Sequence, residues 1–114
     1  MKRIEAFLQP HRLGKVIHAL HALPQFPGFT IFNAQGQGDG HGHGGHFAYD
    51  DDCLTYLDRK VLVVICPDAE AAAIARLIAT VAHTGHKGDG IVVVSDVTVV
   101  VHIREIPTTA GDPA

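Results

Sequence analysis

Residues 84–90, with the sequence TGHKGDG, have the composition of an anion-binding turn, and we call them the glycine turn. Their three glycines permit backbone conformations in which several N–H groups point at one spot, and Lys87 adds a positive charge. Such a turn can bind a phosphate or a carboxylate. An ordinary helix-to-strand turn has the same composition, because glycine is common after a helix. The segment alone leaves both interpretations open.

A second set of candidate ligands lies in a glycine-rich stretch that begins at Gly36. Glycine occupies positions 36, 38, 40, 42, 44 and 45, and histidines are interleaved as His41, His43 and His46. Neutral imidazole binds zinc, copper and nickel, and His41 and His43 are close enough in sequence to chelate one ion together. The alternative is a solvated loop whose histidines are polar surface residues, since the stretch has no HxxxH or CxxC spacing.

Length and composition restrict the class of protein. The 114 residues, of which 46% are hydrophobic, suffice for one domain with one core. The net charge of -3 and the scattered basic residues argue against nucleic-acid binding. Because no apolar run reaches the roughly 18 residues of a membrane span, and the start lacks the apolar core of a signal peptide, we expect a cytoplasmic protein without membrane insertion. No serine–histidine–acid set is indicated, so we do not expect an enzyme.

The elements of the first half follow from hydrophobic periodicity. Residues 2–8 alternate as a half-buried strand does. A helix begins near Pro10, and its apolar face has the i, i+3, i+4, i+7 spacing of Leu13, Val16, Ile17 and Leu20. Residues 29–34 predict a second strand that leads into the glycine-rich stretch.

The second half repeats this plan. Residues 61–66 form a continuous apolar strand in which Cys66 is expected to be a core residue. A helix follows, with Asp68 as its expected N-cap and Gly85 as its end. Residues 91–103 are rich in β-branched side chains and are interrupted near Ser95 and Asp96, which indicates either one bulged strand or a pair of strands.

This β-α-β, long loop, β-α-β order predicts an α+β, ferredoxin-like fold with both helices on one face of an antiparallel sheet. Residues 91–103 have valines at both even and odd positions. Neighbouring residues of a strand point to opposite faces of the sheet, so these valines cannot all face the helices. The other sheet face must therefore carry apolar residues that the chain has no further element to cover. We expect self-association to cover them.

The chain resembles the PII signal-transduction proteins in three places: MKRIEAFLQPHRLGKVIHAL at the start, RKVLVVICPDAEAAAIARLIATVAHTGHKGDG, and His102-Ile103-Arg104. The resemblance covers residues 1–105 as one domain and leaves 106–114 as a tail. It implies a homotrimer that binds ATP or ADP in clefts between subunits. It also implies a regulatory loop, the T-loop, at about residues 36–58, which docks onto target enzymes or membrane transporters.

Site residues are implied by the same resemblance. Gly88, Asp89 and Gly90 match the phosphate-binding GDG of the family, and Arg104 matches a phosphate-contacting arginine. The full set of implied nucleotide-binding residues is Thr30, Gly36, Gln37, Gly38, Arg59, Thr84, Lys87, Gly88, Asp89, Gly90, His102 and Arg104.

The chain departs from the family pattern at four positions. Ile91 stands where lysine usually follows GDG, and His102 where a second arginine is usual. Gly40 replaces the glutamine that helps to hold 2-oxoglutarate and magnesium, and Asp52 replaces the tyrosine that some members uridylylate. We therefore expect weakened ATP binding, with either a shift toward ADP or AMP or a loss of nucleotide binding, and neither 2-oxoglutarate sensing nor uridylylation.

The sequence thus predicts a PII-like regulator that binds an adenine nucleotide and controls a partner protein through its T-loop. The alternative is a transition-metal sensor or buffer for zinc, copper or nickel that uses His41, His43 and His46. Some divergent PII-like branches are associated with metal efflux, so the two functions can coexist.

Overall fold

The computed structural model describes residues 1–37 and 56–106, which form two β-α-β halves. The first half contains β1 (Lys2–Leu8), a 3-10 turn (Pro10–Arg12), α1 (Leu13–His21) and β2 (Thr30–Gly36). The second half contains β3 (Leu57–Cys66), α2 (Asp68–Ala82), β4 (Gly90–Asp96) and a 3-10 turn (Ile103–Glu105). This order of strands and helices agrees with the prediction.

The four strands form one antiparallel sheet in the order β2-β3-β1-β4. β1 pairs with β3 from Lys2↔Cys66 to Leu8↔Lys60, and it pairs with β4 from Lys2↔Asp96 to Leu8↔Gly90. β2 and β4 are therefore the two edges. A four-stranded antiparallel sheet with two helices is consistent with the predicted ferredoxin-like α+β fold.

The hydrophobic core lies between the two helices and one face of the sheet. Alternate residues of the central strands β1 and β3 turn toward the helices and are almost completely buried. The larger core residues are Ile4, Leu8, Val16, Leu20, Leu62, Val64, Cys66, Ile74 and Ile78. Cys66 is thus a core residue, as predicted, and burial raises the pKa of its thiol.

The other face of the sheet carries an apolar row. Residues paired directly across antiparallel strands project on the same side. The register therefore aligns Phe32, Val61, Phe7 and Ile91 across all four strands. At the two ends of the row, 53% of Phe32 and 62% of Ile91 remain exposed. These exposures agree with the predicted uncovered apolar face, on which the expectation of self-association depends.

The β2–β3 pair is longer than the sequence predicts. β3, expected at residues 61–66, begins at Leu57, and β2 continues to Gly36. Gln35 Nε2 donates a hydrogen bond to Asp58 Oδ1 across the pair, with 3.3 Å between the atoms. This part of the two strands could not be predicted from hydrophobic alternation, because its residues are mostly polar or charged and form a strand through cross-strand pairing.

Two predicted boundaries of α2 are wrong. Pro67 is the N-cap, and Asp68 is the first helical residue. The Asp68 carboxylate lies 2.7 Å from the Met1 amino group, and their hydrogen bond lowers the pKa of that carboxyl. The helix ends at Ala82, so Gly85 lies beyond its end instead of terminating it.

Residues 91–103 form neither a single bulged strand nor a pair of strands. β4 ends at Asp96, opposite Lys2, because β1 offers no further residue to pair with. One additional hydrogen bond joins the Val97 N–H to the Met1 carbonyl oxygen at 3.0 Å. Beyond it, residues 98–106 are exposed and extend from that end of the sheet.

Candidate functional site

The glycine turn joins the end of α2 to the start of β4 and depends on three left-handed glycines. Gly85, Gly88 and Gly90 have φ angles of +85°, +86° and +106°. L side chains rarely adopt such values. The sequence therefore specifies the path of this turn through the positions of its glycines.

The carboxylate of Asp89 is held inside the turn. It accepts hydrogen bonds from the backbone N–H groups of Thr84 at 3.0 Å and Gly85 at 3.1 Å. It also accepts a hydrogen bond from the Thr84 hydroxyl, and His83 Nδ1 lies 3.4 Å away. The Thr84 hydroxyl in turn accepts from the His86 N–H at 3.2 Å. Asp89 thereby stabilises the turn, and its negative charge is directed at the turn's own donors.

These contacts determine the protonation of Asp89. The hydrogen bond from the Thr84 hydroxyl lowers the pKa of the Asp89 carboxyl to about 2, with smaller contributions from the two N–H groups and His83. Partial burial acts in the opposite direction. Asp89 is therefore ionised throughout the physiological pH range.

We expect Asp89→Asn to lower the free energy of unfolding by about 2 kcal/mol at neutral pH, because its amide group places a donor where N–H groups need an acceptor. The folded pKa lies below the unfolded value of 3.8, so the stabilisation is present above that value and is lost as the pH falls through about 2. The difference in unfolding free energy between Asp89→Asn and the unchanged protein should therefore become smaller at low pH. Urea unfolding at neutral pH and near pH 2 measures it.

The matched control is Glu105→Gln, which removes one negative charge at an exposed position. We expect it to change the unfolding free energy little at either pH. If Asp89→Asn lowers the unfolding free energy by the same amount at both pH values, the proposed role of the carboxylate is contradicted.

The Gly88 carbonyl oxygen is a point of contact between three parts of the chain. It accepts a hydrogen bond from Gln9 Nε2 at 2.9 Å and another from Arg59 Nη2 at 3.2 Å. Arg59 also donates to the Asp58 carbonyl oxygen at 3.0 Å. Because Leu8 pairs with both Lys60 and Gly90, the next residue of the chain, Gln9, lies between Arg59 and Asp89. The turn is thus attached to the ends of β1 and β3.

Most of the predicted site residues lie at one end of the sheet. The glycine turn contains Thr84, Lys87, Gly88, Asp89 and Gly90, and Arg59 contacts it directly. Gly36 and Gln37 lie at the same end, on edge strand β2 or just after it, because Gly36 pairs with Leu57. The structure therefore brings together side chains that are far apart in sequence.

Three other predicted residues lie elsewhere. Thr30 pairs with Val63 at the start of edge strand β2, four positions from the residue opposite Arg59. His102 and Arg104 follow the far end of β4, and both are exposed. β4 leads away from the glycine turn, and its length separates the turn from the start of the segment that carries these two residues.

An open cavity of about 300 Å³ borders the turn. Asp89 and His83 supply its polar lining, and Leu8, Ile91 and Val92 are among its apolar lining residues. Part of a small ligand therefore has room beside the turn.

The predicted metal ligands and one predicted glycine lie outside the part of the chain that the structure describes. These residues are Gly38, His41, His43 and His46. Within residues 1–37 and 56–106, no group of three or more His, Cys, Asp or Glu side chains is arranged to hold a metal ion. No helix in these same ranges is long and apolar enough to cross a membrane.

Two polar residues of the site were not predicted. Gln9, only 6% exposed, contacts the turn, and the Arg12 guanidinium donates to the Val81 carbonyl oxygen at the end of α2. Neither has a motif in the sequence. The strand register alone reveals Gln9, because it places the first residue after β1 between Arg59 and Asp89.

Comparison with known proteins agrees with this fold. The family model of nitrogen regulatory protein P-II matches residues 1–106. The nitrogen regulatory protein P-II of Rhizobium meliloti is 34% identical over 104 residues, which cover 91% of this chain and 92% of the relative. The protein of the same name from Porphyra purpurea is 31% identical, with the same coverage. A nifHD-region GlnB-like protein from Methanothermococcus thermolithotrophicus is 30% identical, covering 91% of this chain and 94% of the relative.

The chain belongs to the P-II family. Proteins of this family are regulatory signal transducers and not enzymes. They bind adenine nucleotides, and they are homotrimers that regulate partner enzymes or transporters. The predicted family membership and the absence of an enzymatic role are therefore confirmed.

Proposed function

We propose that this protein binds ATP, ADP or AMP at the glycine turn, in a cleft between two copies of the chain, and so regulates a membrane transporter or an enzyme. Residues 36–58 serve as the T-loop that contacts this partner. Residues 1–105 form the domain, and 106–114 its tail. The observation that carries the proposal is the geometry of the turn, in which three positive-φ glycines surround an acidic residue held by the turn itself.

The electrostatics of the turn support binding of an anion. The Asp89 carboxylate is ionised, but two N–H groups and a hydroxyl of the turn bind it and orient its negative charge into the turn. Lys87 is exposed on the turn, and the Arg59 guanidinium reaches its Gly88 carbonyl. Arginine and lysine at a glycine turn are the usual protein donors to phosphate oxygens.

Exposed apolar surface supports assembly into a trimer. The row of Phe32, Val61, Phe7 and Ile91 ends in two largely exposed side chains. The segment after β4 is also apolar, with Val99 70% exposed and Ile103 92% exposed. Exposed apolar surface of this extent is characteristic of an interface.

A trimer also explains the positions of His102 and Arg104. Both lie on the exposed segment that leaves the sheet at the end opposite the glycine turn. In the proposed assembly, this segment of one copy reaches the turn of the next copy and supplies the Arg104 guanidinium and the His102 imidazole to its nucleotide. The site is therefore incomplete in a single chain.

The substitutions at the site favour a less charged nucleotide. Ile91 and His102 replace a lysine and an arginine that the family usually carries, and each lost charge-assisted contact corresponds to roughly 1.5–3 kcal/mol. We therefore propose that ADP or AMP binds at least as tightly as ATP.

Sedimentation equilibrium and calorimetry together test this function. We expect a mass three times the 12.2 kDa of one chain. We also expect binding of ADP, AMP or ATP with one nucleotide per chain. A monomer that releases heat with none of the three nucleotides would overturn the proposal.

A second candidate function is transition-metal sensing by the T-loop, which the alternation of glycine with His41, His43 and His46 favours. Calorimetry with zinc and with copper tests it. We expect binding that is lost when all three histidines are replaced by alanine. The control is the double substitution His11→Ala and His18→Ala at exposed positions. Equal metal binding by the triple variant and the control would contradict this function.

A further inference from the structure

We infer that the hydrogen bond between Arg59 and the Gly88 carbonyl responds to the ligand, and that Gln9 is the positioning residue that lets Arg59 exchange partners. In the free protein Arg59 is bound to the turn. When an anionic ligand occupies the turn, Arg59 moves to that ligand, and Gln9 alone keeps the Gly88 carbonyl paired. This inference rests on the proposed function, because it assigns the regulation of the same site.

The first supporting observation is that one carbonyl oxygen has two donors from different elements. Gln9 Nε2 lies 2.9 Å and Arg59 Nη2 lies 3.2 Å from the Gly88 oxygen. A carbonyl oxygen has two lone pairs, so both bonds form together, yet one suffices to keep this partly buried acceptor paired. The shorter bond comes from Gln9, which is nearly buried and directly follows β1.

The second observation concerns what holds Gln9 in place. Gln9 Oε1 is buried and has no hydrogen-bond partner within residues 1–37 and 56–106. The bond from Nε2 to Gly88 is thus the polar contact that orients this amide. The φ of +86° at Gly88 favours glycine, and a Cβ there would only touch the two donors, at 3.4 Å from Arg59 Nη2 and 3.8 Å from Gln9 Nε2.

The third observation is the nature of the partners of Arg59. Its guanidinium donates to the carbonyl oxygens of Gly88 and Asp58, which are neutral. Bonds from a guanidinium to phosphate or carboxylate are shorter and stronger than bonds to neutral acceptors, and they can be bidentate. A phosphate at the turn therefore competes successfully for Arg59. The exchange leaves no acceptor unpaired, because Gln9 remains on Gly88.

The position of Arg59 determines which part of the chain responds. Arg59 is the third residue of β3, and it follows directly after the proposed T-loop at residues 36–58. Its neighbour Asp58 is bonded to Gln35 of β2. A change in the partners of Arg59 therefore alters the paired ends of β2 and β3, to which both ends of the T-loop are attached.

Hydrogen exchange of the amides of residues 57–60, with and without saturating ADP, tests the inference once calorimetry has shown that ADP binds. We expect ADP to change their exchange rates in the unchanged protein. In Arg59→Gln, ADP should bind about tenfold more weakly, because a charged donor is lost, and the change in exchange should disappear even at saturation.

A second variant tests Gln9 separately. In Gln9→Leu, movement of Arg59 would leave the Gly88 carbonyl without a donor, so we expect ADP affinity to fall about fivefold and the change in exchange to shrink. Arg76→Gln, on the exposed side of α2, is the control and should behave as the unchanged protein.

The outcomes separate the inference from the proposed function. If ADP, AMP and ATP all fail to bind the unchanged protein, the proposed function is wrong and the inference falls with it. If ADP binds and both Arg59→Gln and Gln9→Leu retain the full change in exchange, the proposed function stands and the inference is wrong.

Discussion

Gly90→Ala is expected to destabilise the protein by about 4 kcal/mol or more, a large part of the roughly 5–15 kcal/mol that stabilises a typical domain. A Cβ at this position would lie 1.7 Å from the Phe7 carbonyl oxygen, far inside any permitted contact. The φ of +106° adds strain for any L side chain. Backbone must move to relieve the contact, and the nearest backbone is the central strand β1. Urea unfolding at one fixed protein concentration measures the loss.

The control for this substitution is Gly14→Ala. Gly14 lies in α1, and apart from its neighbours and the backbone of its own helix a Cβ there would have no atom within 4 Å, so the substitution meets no obstacle. Alanine is a better helix former than glycine, and the control should therefore gain roughly 0.5–1 kcal/mol. Equal effects of the two substitutions would contradict the close packing of Gly90 on β1.

Ile91→Lys is expected to increase the affinity for ATP at least tenfold. The substitution places a lysine directly after GDG, where the resemblance to the PII family implies one, and one charge-assisted contact to a phosphate corresponds to roughly 1.5–3 kcal/mol. Ile91 is 62% exposed and lines the cavity beside the turn, so a lysine can be accommodated without loss of the core. We expect a smaller gain for AMP, which carries less charge. Calorimetric titration with ATP and AMP measures both affinities.

Ser95→Lys is the matched control for the added charge. Ser95 is exposed on the same strand and the same sheet face, but at the end opposite the glycine turn. We expect it to leave ATP affinity nearly unchanged. If Ile91→Lys does not strengthen ATP binding, or if Ser95→Lys strengthens it equally, then the phosphates do not lie beside the glycine turn.

Much of the fold could be predicted from the sequence, because its signals are local. Alternation in residues 2–8 and the spacing of Leu13, Val16, Ile17 and Leu20 directly indicated β1 and α1. The first, mostly polar residues of β3 were not predicted as strand, because only their pairing with β2 makes them one. The end of β4 was missed for a related reason, since it depends on where β1 stops.

The site was predictable to the extent that it depends on glycine. The TGHKGDG spacing indicated a turn of unusual backbone geometry, and the three positive φ angles agree with it. The inward orientation of Asp89 and the contact from Gln9 were not predictable, because they depend on long-range geometry. A glutamine at the end of a strand has no distinctive sequence signal.

The most direct test of the account is to mix copies of the chain that carry different defects. One variant, Lys87→Ala with Arg59→Gln, removes hydrogen-bond donors at the turn, and the other, His102→Ala with Arg104→Ala, removes them from the segment after β4. Each variant alone should bind ADP poorly. After the two are denatured together and refolded at equal amounts, about a quarter of the interfaces combine an intact turn with an intact segment. We predict that ADP binding returns at about that fraction of sites, whereas a mixture that binds no better than its two components would contradict a site shared between copies.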